Sequence, residues 1–465
     1  MDQDLHRWLT RAGQYLRAGR FEWPDTPWVG PAVWIVLGLV IGIPIIGFRL
    51  VSPFPAQVFP FLPERGVPIM WLLLMGAVCL AARIARVSWP LAALFCWAIL
   101  RAGMMSFPIR ALQLLLLIGL VGLLYGAARE LSDRAQRWVT TALLAGIAYE
   151  GAFGVLNLMG FYPGMRFVLP DHIGRPMGYL THPNYWGSFM ALGLPLVWAR
   201  WGLPAALGCY LLIASALSGG PIIAASVGML LLLWPELTRA WRLVAVSGGA
   251  GAVGIVMTLH EWRLSGRREV WQAVWPELLR FPVIGQGLGS WRLLAEDINA
   301  GITRRAIEAK VAAGMVLDQA TKTTPLSAFA TLQAHNEPYQ LWFELGLIGL
   351  ALAGLWGWQA GRAAWRVWWA CPAGSVRLWD PGRVPLDRAW VAVLAIGCVN
   401  ALGSPTFHLP GQAAIMILAL ARVQAAASLL TDPLLITRAA FIRPEPGTLP
   451  RDGHRKKRSA VHAET

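Results

Sequence analysis

Apolar runs recur along most of the chain, separated by short polar turns that carry arginine. A helix of roughly 20 apolar residues crosses the hydrocarbon of a bilayer, and read this way the runs predict about twelve spans. The first five fall near 31–51, 68–83, 88–105, 111–128 and 138–159, and four more near 184–199, 201–217, 220–235 and 242–259. The last three fall near 339–359, 389–404 and 409–428. Several are short, and 201–217 with 220–235 reads equally as a tight hairpin. The pattern predicts an all-α polytopic membrane protein, in which every backbone group within the lipid is satisfied by its own helix.

Two polar stretches interrupt the series, at 160–183 and at 260–338. The longer one mixes charges of both signs. Its apolar positions recur at helical spacing in VWQAVWPELL (270–279) and AIEAKVAAGMVL (306–317), which predicts short helices lying at the membrane surface. The organisation expected is a cytoplasmic amino-terminal segment with an interfacial helix at 1–30 and nine spans over 31–259. A long periplasmic loop follows at 260–338, then three spans over 339–428 and a basic, disordered cytoplasmic tail at 429–465. The amino-terminal residues are polar and contain Trp, unlike a cleavable signal peptide. No internal repeat is visible.

Composition supports the membrane assignment. Of 465 residues, 56% are hydrophobic and only 14% charged, against about 25% charged in soluble domains. The 25 tryptophans suit anchoring at the two interfaces. The formal net charge of +15 does not require nucleic acid, since no groove-reading motif accompanies it. Cytoplasmic loops concentrate Lys and Arg, and the run Arg455 to Arg458 suits a tail beside anionic lipid. With the amino terminus inside, the inner loops hold Arg83, Arg86, Arg129, Arg134, Arg137, Arg200, Arg239, Arg242, Arg362, Arg366, Arg377, Arg383 and Arg388. The outer short loops hold Arg65, Arg110, Arg166 and Arg175. That asymmetry places both termini in the cytoplasm and both long loops outside. The five cysteines have no metal or redox spacing, and no disulfide is expected.

The candidate chemistry lies in the two long loops and at their junctions with the spans. His335 sits where the longer loop meets a span. Imidazole takes up a proton near neutral pH, which suits a general base, although a helix-capping or interfacial histidine would occupy the same place. Arg267 precedes a helical run in the longer loop, with Arg268 as its neighbour, and Arg175 lies in the shorter loop. Guanidinium groups clamp phosphates through a planar fork of donors, so two arginines from separate loops could grip one diphosphate. The alternative is that both snorkel to lipid headgroups. Asn336, Glu337 and His408 are possible supporting residues, and Glu337 or Glu344 could orient the imidazole. His172, His182 and His408 lack zinc-site spacing, so no metal is assigned. GQGLGS at 285–290 lacks the strand-to-helix context of a dinucleotide site and reads as a tight turn.

These residues carry a resemblance. SGRREVWQAVWPELLRFPVIGQGLGSW (265–291) is similar to a Gly-Arg, Trp, Pro-x-x-Gly-x-Gly segment. AHNEPYQLWFELGLIGL (334–350) is similar to a His-Asn motif followed by Glu-x-Gly-x-x-Gly at the start of a span. RPMGYLTHPNYWGSFMAL (175–192) resembles an Arg, Gly, Pro-Asn motif, and SPTFHLPGQA (404–413) a looser His-x-Pro motif. Together, over about 165–425, they resemble the O-antigen ligase and polymerase superfamily of bacterial membrane glycosyltransferases. The first 160 residues match only as apolar spans.

The resemblance implies a donor glycan on undecaprenyl diphosphate in the outer leaflet. An acceptor hydroxyl would attack its anomeric carbon with inversion, and without a metal or other cofactor. The acceptor would be a growing glycan, a lipid A-core or, in the protein O-oligosaccharyltransferase alternative, a protein. Membrane lipids are the remaining partner, and nucleic acid is not one. The resemblance assigns the base or acceptor-orienting role to His335 and diphosphate binding to Arg267 and Arg175. One feature departs from the pattern. Many members carry Ser-Arg-Gly where this chain reads SGGPIIAASVG from Ser218, so one phosphate or structural contact is missing or comes from elsewhere. Outside the enzyme class, the competing reading is a lipid-glycan flippase or transporter.

Overall fold

The computed structural model describes residues 88–102, parts of 115–129, 133–162, 173–178, 182–244, 247, 267–291, parts of 301–323, 336–371, 384–403 and 410–430. Among these residues every regular element is helical and there is no strand. In chain order the helices are α1 (Trp89–Ala102), α2 (Asp133–Leu158), α3 (Pro183–Ser215) and α4 (Gly219–Leu233). They continue with α5 (Arg267–Arg280), α6 (Leu317–Thr323), α7 (Glu337–Ala370), α8 (Leu386–Ala401) and α9 (Pro410–Leu429).

Four stretches are long and apolar enough to cross a membrane: Gln136–Leu158, Pro183–Ser215, Glu337–Ala370 and Gln412–Leu429. Two shorter apolar helices, Trp89–Ala102 and Gly219–Leu233, accompany them. The described residues therefore support four candidate crossings where the hydropathy pattern predicts about twelve. The difference has two sources. The spans expected at 31–51, 68–83 and most of 242–259 lie outside the described residues, as do the amino-terminal segment and nearly all of the tail. Others are shorter than a bilayer needs. At about 1.5 Å per residue, α4 is roughly 22 Å long, against about 30 Å of hydrocarbon.

The spans expected at 184–199 and 201–217 are two helices that meet at Gly202 (φ 82, ψ 180) and together make α3; they fold back on each other, since a Cβ on Gly187 would lie 4.0 Å from the Ala216 Cβ. The second part of α3 and α4 make the hairpin, with Tyr210 Oη 2.8 Å from Ser226 Oγ. The surface helix expected at 270–279 is α5. Of the one expected at 306–317, residues 307–312 are helical, a turn follows at 313–314, and α6 starts at Leu317.

α8 and α9 form the centre of the bundle. α8 packs on α3, α4, α7 and α9, α2 covers α3, and α1 packs on α7. Side chains of α8 from Arg388 to Ala401 are almost all buried, as are those of α9 from Gln412 to Ala421. Close helix approach depends on small residues. A Cβ on Gly228 would collide with Ile396, and one on Gly397 with Met416. At one end of the bundle Arg422 pairs with Asp387 at 2.8 Å. There too Arg388 donates to the Cys371 carbonyl at 2.6 Å and lies over the Trp368 ring. The opposite end carries Arg175, Asn336 and Glu337.

Candidate functional site

α7 begins in the His-Asn segment, the third of the four motif-bearing segments in chain order. Asn336 is its N-cap, with its Oδ1 accepting from the Tyr339 amide at 2.9 Å. Its Nδ2 donates to the Leu402 carbonyl at 3.2 Å, which ties the start of α7 to the end of α8. An asparagine cap followed by Pro338 in the first turn is a strong helix start. Glu337 opens the helix, where negative charge suits the positive end of the dipole. One turn on, Tyr339 Oη donates to the Trp271 carbonyl of α5 at 3.0 Å. Trp271 is one turn from Arg267, the first residue of α5. Aromatic packing reinforces the junction. Trp291 meets Phe343 edge-on at 5.4 Å, and Trp275 meets Trp342 edge-on at 5.9 Å. Val274, Leu278, Trp291 and Phe343 form a small core of their own, with Trp271, Tyr339 and Trp342 packed against it.

α7 is not continuous. At Gly346 (φ 69, ψ −173) the helix breaks, which leaves the carbonyls and amides on either side without intrahelical partners. Irregular backbone at membrane depth survives only where protein satisfies it, and here the glycine-rich turn after α5 does so. The Gln286 and Gly287 amides donate to the Phe343 and Glu344 carbonyls at 2.8 and 2.9 Å. In return the Leu347 and Ile348 amides donate to the Pro282 and Val283 carbonyls at 2.9 and 3.2 Å. Two glycines make this close approach feasible. A Cβ on Gly346 would strike the Val283 carbonyl, and one on Gly285 (φ 76) would strike Gly346 itself.

Side chains complete the fit. Trp342 Nε1 donates to the Pro282 carbonyl at 2.9 Å, and Gln286 Nε2 to the Glu277 carbonyl at 2.7 Å. From α1, Trp97 Nε1 donates to the Leu345 carbonyl at 2.8 Å and Arg101 to the Gly285 carbonyl at 2.7 Å. The buried Glu344 carboxylate accepts from the Gly289 amide at 2.9 Å and from Gln340 Nε2 at 3.1 Å.

The shorter loop is built on α2 and on both ends of α3. Asn157, buried in the last turn of α2, accepts from the Met177 and Gly178 amides at 3.0 and 2.9 Å. Its Nδ2 donates to the Phe161 carbonyl at 2.9 Å. Arg175, half-buried, donates from Nε and a terminal nitrogen to the Ala216 carbonyl at 2.9 and 2.7 Å, and to the Leu217 carbonyl at 3.1 Å. A cation at a helix C-terminus meets the negative end of the dipole. Leu217, at φ 50, is the non-glycine residue with positive φ among the described residues. His182 caps α3, with Nδ1 accepting from the Asn184 amide at 3.1 Å. Ser218, at the site of the absent arginine, donates to Asn184 Oδ1 at 2.9 Å.

Polar contacts tie the start of α3 to α8 and α9. Ser188 Oγ lies 3.5 Å from Asn400 Oδ1, and Gln412 Nε2 donates to the Tyr185 carbonyl at 2.9 Å. Arg175, Asn336, Glu337 and the start of α5 thus belong to one end of the bundle. His335, His408 and His172 lie outside the described residues, as do the side chains of Arg267 and Arg268. Among the described residues no three His, Cys, Asp or Glu side chains converge as a metal site would require.

Sequence reading missed Trp97, Arg101 and Asn157. A signal was available for Arg101, an ionisable residue inside an apolar run, which marks a site by default. No comparable signal marks Trp97 among 25 tryptophans. No protein family, no curated protein and no solved structure matches this chain.

Proposed function

We propose that the protein is a membrane glycosyltransferase that moves a glycan from undecaprenyl diphosphate to an acceptor hydroxyl at the outer face of a bacterial inner membrane. The observation that carries the proposal is the junction of α5 and α7. The two segments with the most specific resemblance are more than 40 residues apart, yet Tyr339 meets the Trp271 carbonyl one turn from Arg267 and one turn from the Asn336 cap. A diphosphate-binding arginine and a histidine base must work within a few ångströms of one anomeric centre.

In the proposed reaction the acceptor oxygen bonds to the anomeric carbon as the carbon–oxygen bond to the diphosphate breaks. The bonding pair leaves with the diphosphate, and the hydroxyl proton passes to His335. Arg267 neutralises the charge that develops on the leaving group, the effect expected of a fixed guanidinium in a site shielded from water. Arg268 is the neighbour that would substitute for it. Arg175 serves from the shorter loop, where its side chain, bonded to the Ala216 and Leu217 carbonyls at the end of α3, lies beside Ser218. Asn336 fixes the start of α7, and Glu337 and His408 support the acceptor side.

The broken helix α7 favours a second reading, since transporters of lipid or solute use the freed ends of broken helices to hold cargo. At Gly346, however, the freed groups are taken by the turn after α5, which favours the enzyme. The test is deletion of the gene followed by analysis of surface glycan and lipid-linked intermediates. Loss of core attachment points to a ligase, loss of chain length to a polymerase, and loss of glycan from a surface protein to an oligosaccharyltransferase. Donor accumulating on the cytoplasmic face, with transfer intact on flipped material, points to the transporter.

A further inference from the structure

The turn at 281–291 does more than close a gap. Its first residues follow directly from α5, its backbone completes α7 on both sides of Gly346, and its Gln286 amide group returns to the last turn of α5 through the Glu277 carbonyl. α5 and the nine residues of α7 before the break are thereby held as one unit, and Trp97 and Arg101 fasten that unit to α1. Glu344 stands at its centre with 5% exposure. A carboxylate in such a place carries a heavy desolvation cost. A buried ionisable group inside a span is retained for a specific task. Here one oxygen holds the Gly289 amide and the other holds Gln340 on the preceding turn of α7.

We infer that this seated turn sets the distance between the arginine-bearing start of α5 and the His-Asn start of α7, and that Glu344 is the positioning residue that keeps it seated. The seating is a property of the fold. What it positions rests on the glycosyltransferase reading. Glu344 touches neither donor nor acceptor; it acts through the turn. Gln at 344 keeps an acceptor oxygen for the Gly289 amide, and Gln340 can turn its own amide to match, so Glu344→Gln retains the turn. Glu344→Ala removes both bonds.

The experiment uses the full-length protein in nanodiscs, with wild type, Glu344→Ala and Glu344→Gln compared. Amide exchange over 281–291 reports whether the turn is seated. Release of polyprenyl diphosphate from a synthetic lipid-linked oligosaccharide, per folded molecule, reports kcat and KM. Glu344→Ala is expected to speed exchange at 286–289 and to lower kcat by at least about tenfold, with KM changed less, because misplacement by about 1 Å can cost on the order of 100-fold in rate. Glu344→Gln is expected to restore both readouts to within about threefold of wild type, as a retained hydrogen bond predicts. A role in folding alone would lower the yield of folded protein and leave kcat unchanged. Unchanged exchange in Glu344→Ala, or faster exchange with kcat unaltered, overturns the positioning role while wild-type turnover upholds the enzyme. A wild type inert towards the donor overturns the glycosyltransferase reading and the positioning role with it.

Discussion

Gly346→Ala is the sharpest structural perturbation available. At φ 69 and ψ −173, backbone that glycine alone adopts readily, an L-residue costs about 1–3 kcal/mol, and its Cβ would strike the Val283 carbonyl, which cannot move without its turn. Two outcomes compete. Either the strain is kept, or α7 straightens through residue 346, regaining intrahelical bonds for the Leu347 and Ile348 amides. Ala favours straightening by about 1 kcal/mol over Gly. Straightening expels the turn, leaving the Gln286 and Gly287 amides and the Glu344 carboxylate to find new partners. At roughly 1 kcal/mol for each lost bond the net destabilisation is about 2–4 kcal/mol, or roughly 2–4 °C in thermal midpoint for a chain of this length. Amide exchange on the purified variant separates the two. Straightening predicts lost protection at 286–289 with protection retained at 347–348, whereas retained strain lowers the midpoint with both regions protected. A variant whose midpoint and exchange match wild type would refute the mutual seating of turn and broken helix.

The other predictions concern the charged residues and the topology. Arg267→Ala should weaken donor use by at least about tenfold, the cost of one charge-assisted contact to a phosphate, with Arg267→Lys falling between; binding of a short polyprenyl diphosphate measures it. Arg175→Ala removes three donor contacts to Ala216 and Leu217. It should cost about 2–3 kcal/mol in stability as well as donor affinity, so unfolding and binding must be measured together, and a binding defect alone would leave the helix-end contacts without weight. Reporter fusions at Lys310 and at the carboxyl terminus should give periplasmic and cytoplasmic signals respectively; a cytoplasmic signal at Lys310 would reverse the orientation.

Much of the helical framework was legible in the sequence because apolar period and caps are local. α2, α5, α8 and α9 start and end within a few residues of the expected limits, and the division at Gly202 falls where Arg200 and Pro204 interrupt the apolar run. The turn at Gly285 was legible too, since glycines in series ask for positive φ. What it docks onto was not. The groups it satisfies lie nearly 60 residues away, in a run that reads as one continuous span because a single glycine costs a helix only about 1 kcal/mol. The same limit hid the work of Glu344. Its position suggests a partner for His335, but in the fold its carboxylate accepts from the Gly289 amide and from Gln340. Arg175 shows the converse. An arginine in a polar loop looks available for phosphate, while the end of α3 that it holds is some 40 residues downstream and invisible to local pattern.

The central claim is tested most directly by glycosyl transfer from a synthetic undecaprenyl-diphosphate oligosaccharide in proteoliposomes, comparing wild type with His335→Ala at equal folded amounts. The account predicts transfer with inversion at the anomeric carbon by wild type, and a loss of about 10²–10⁴-fold in rate for His335→Ala with donor binding retained. Transfer by His335→Ala at the wild-type rate would remove the histidine from the reaction, and a wild type that binds no lipid diphosphate and transfers no glycan to any acceptor class would contradict the account itself.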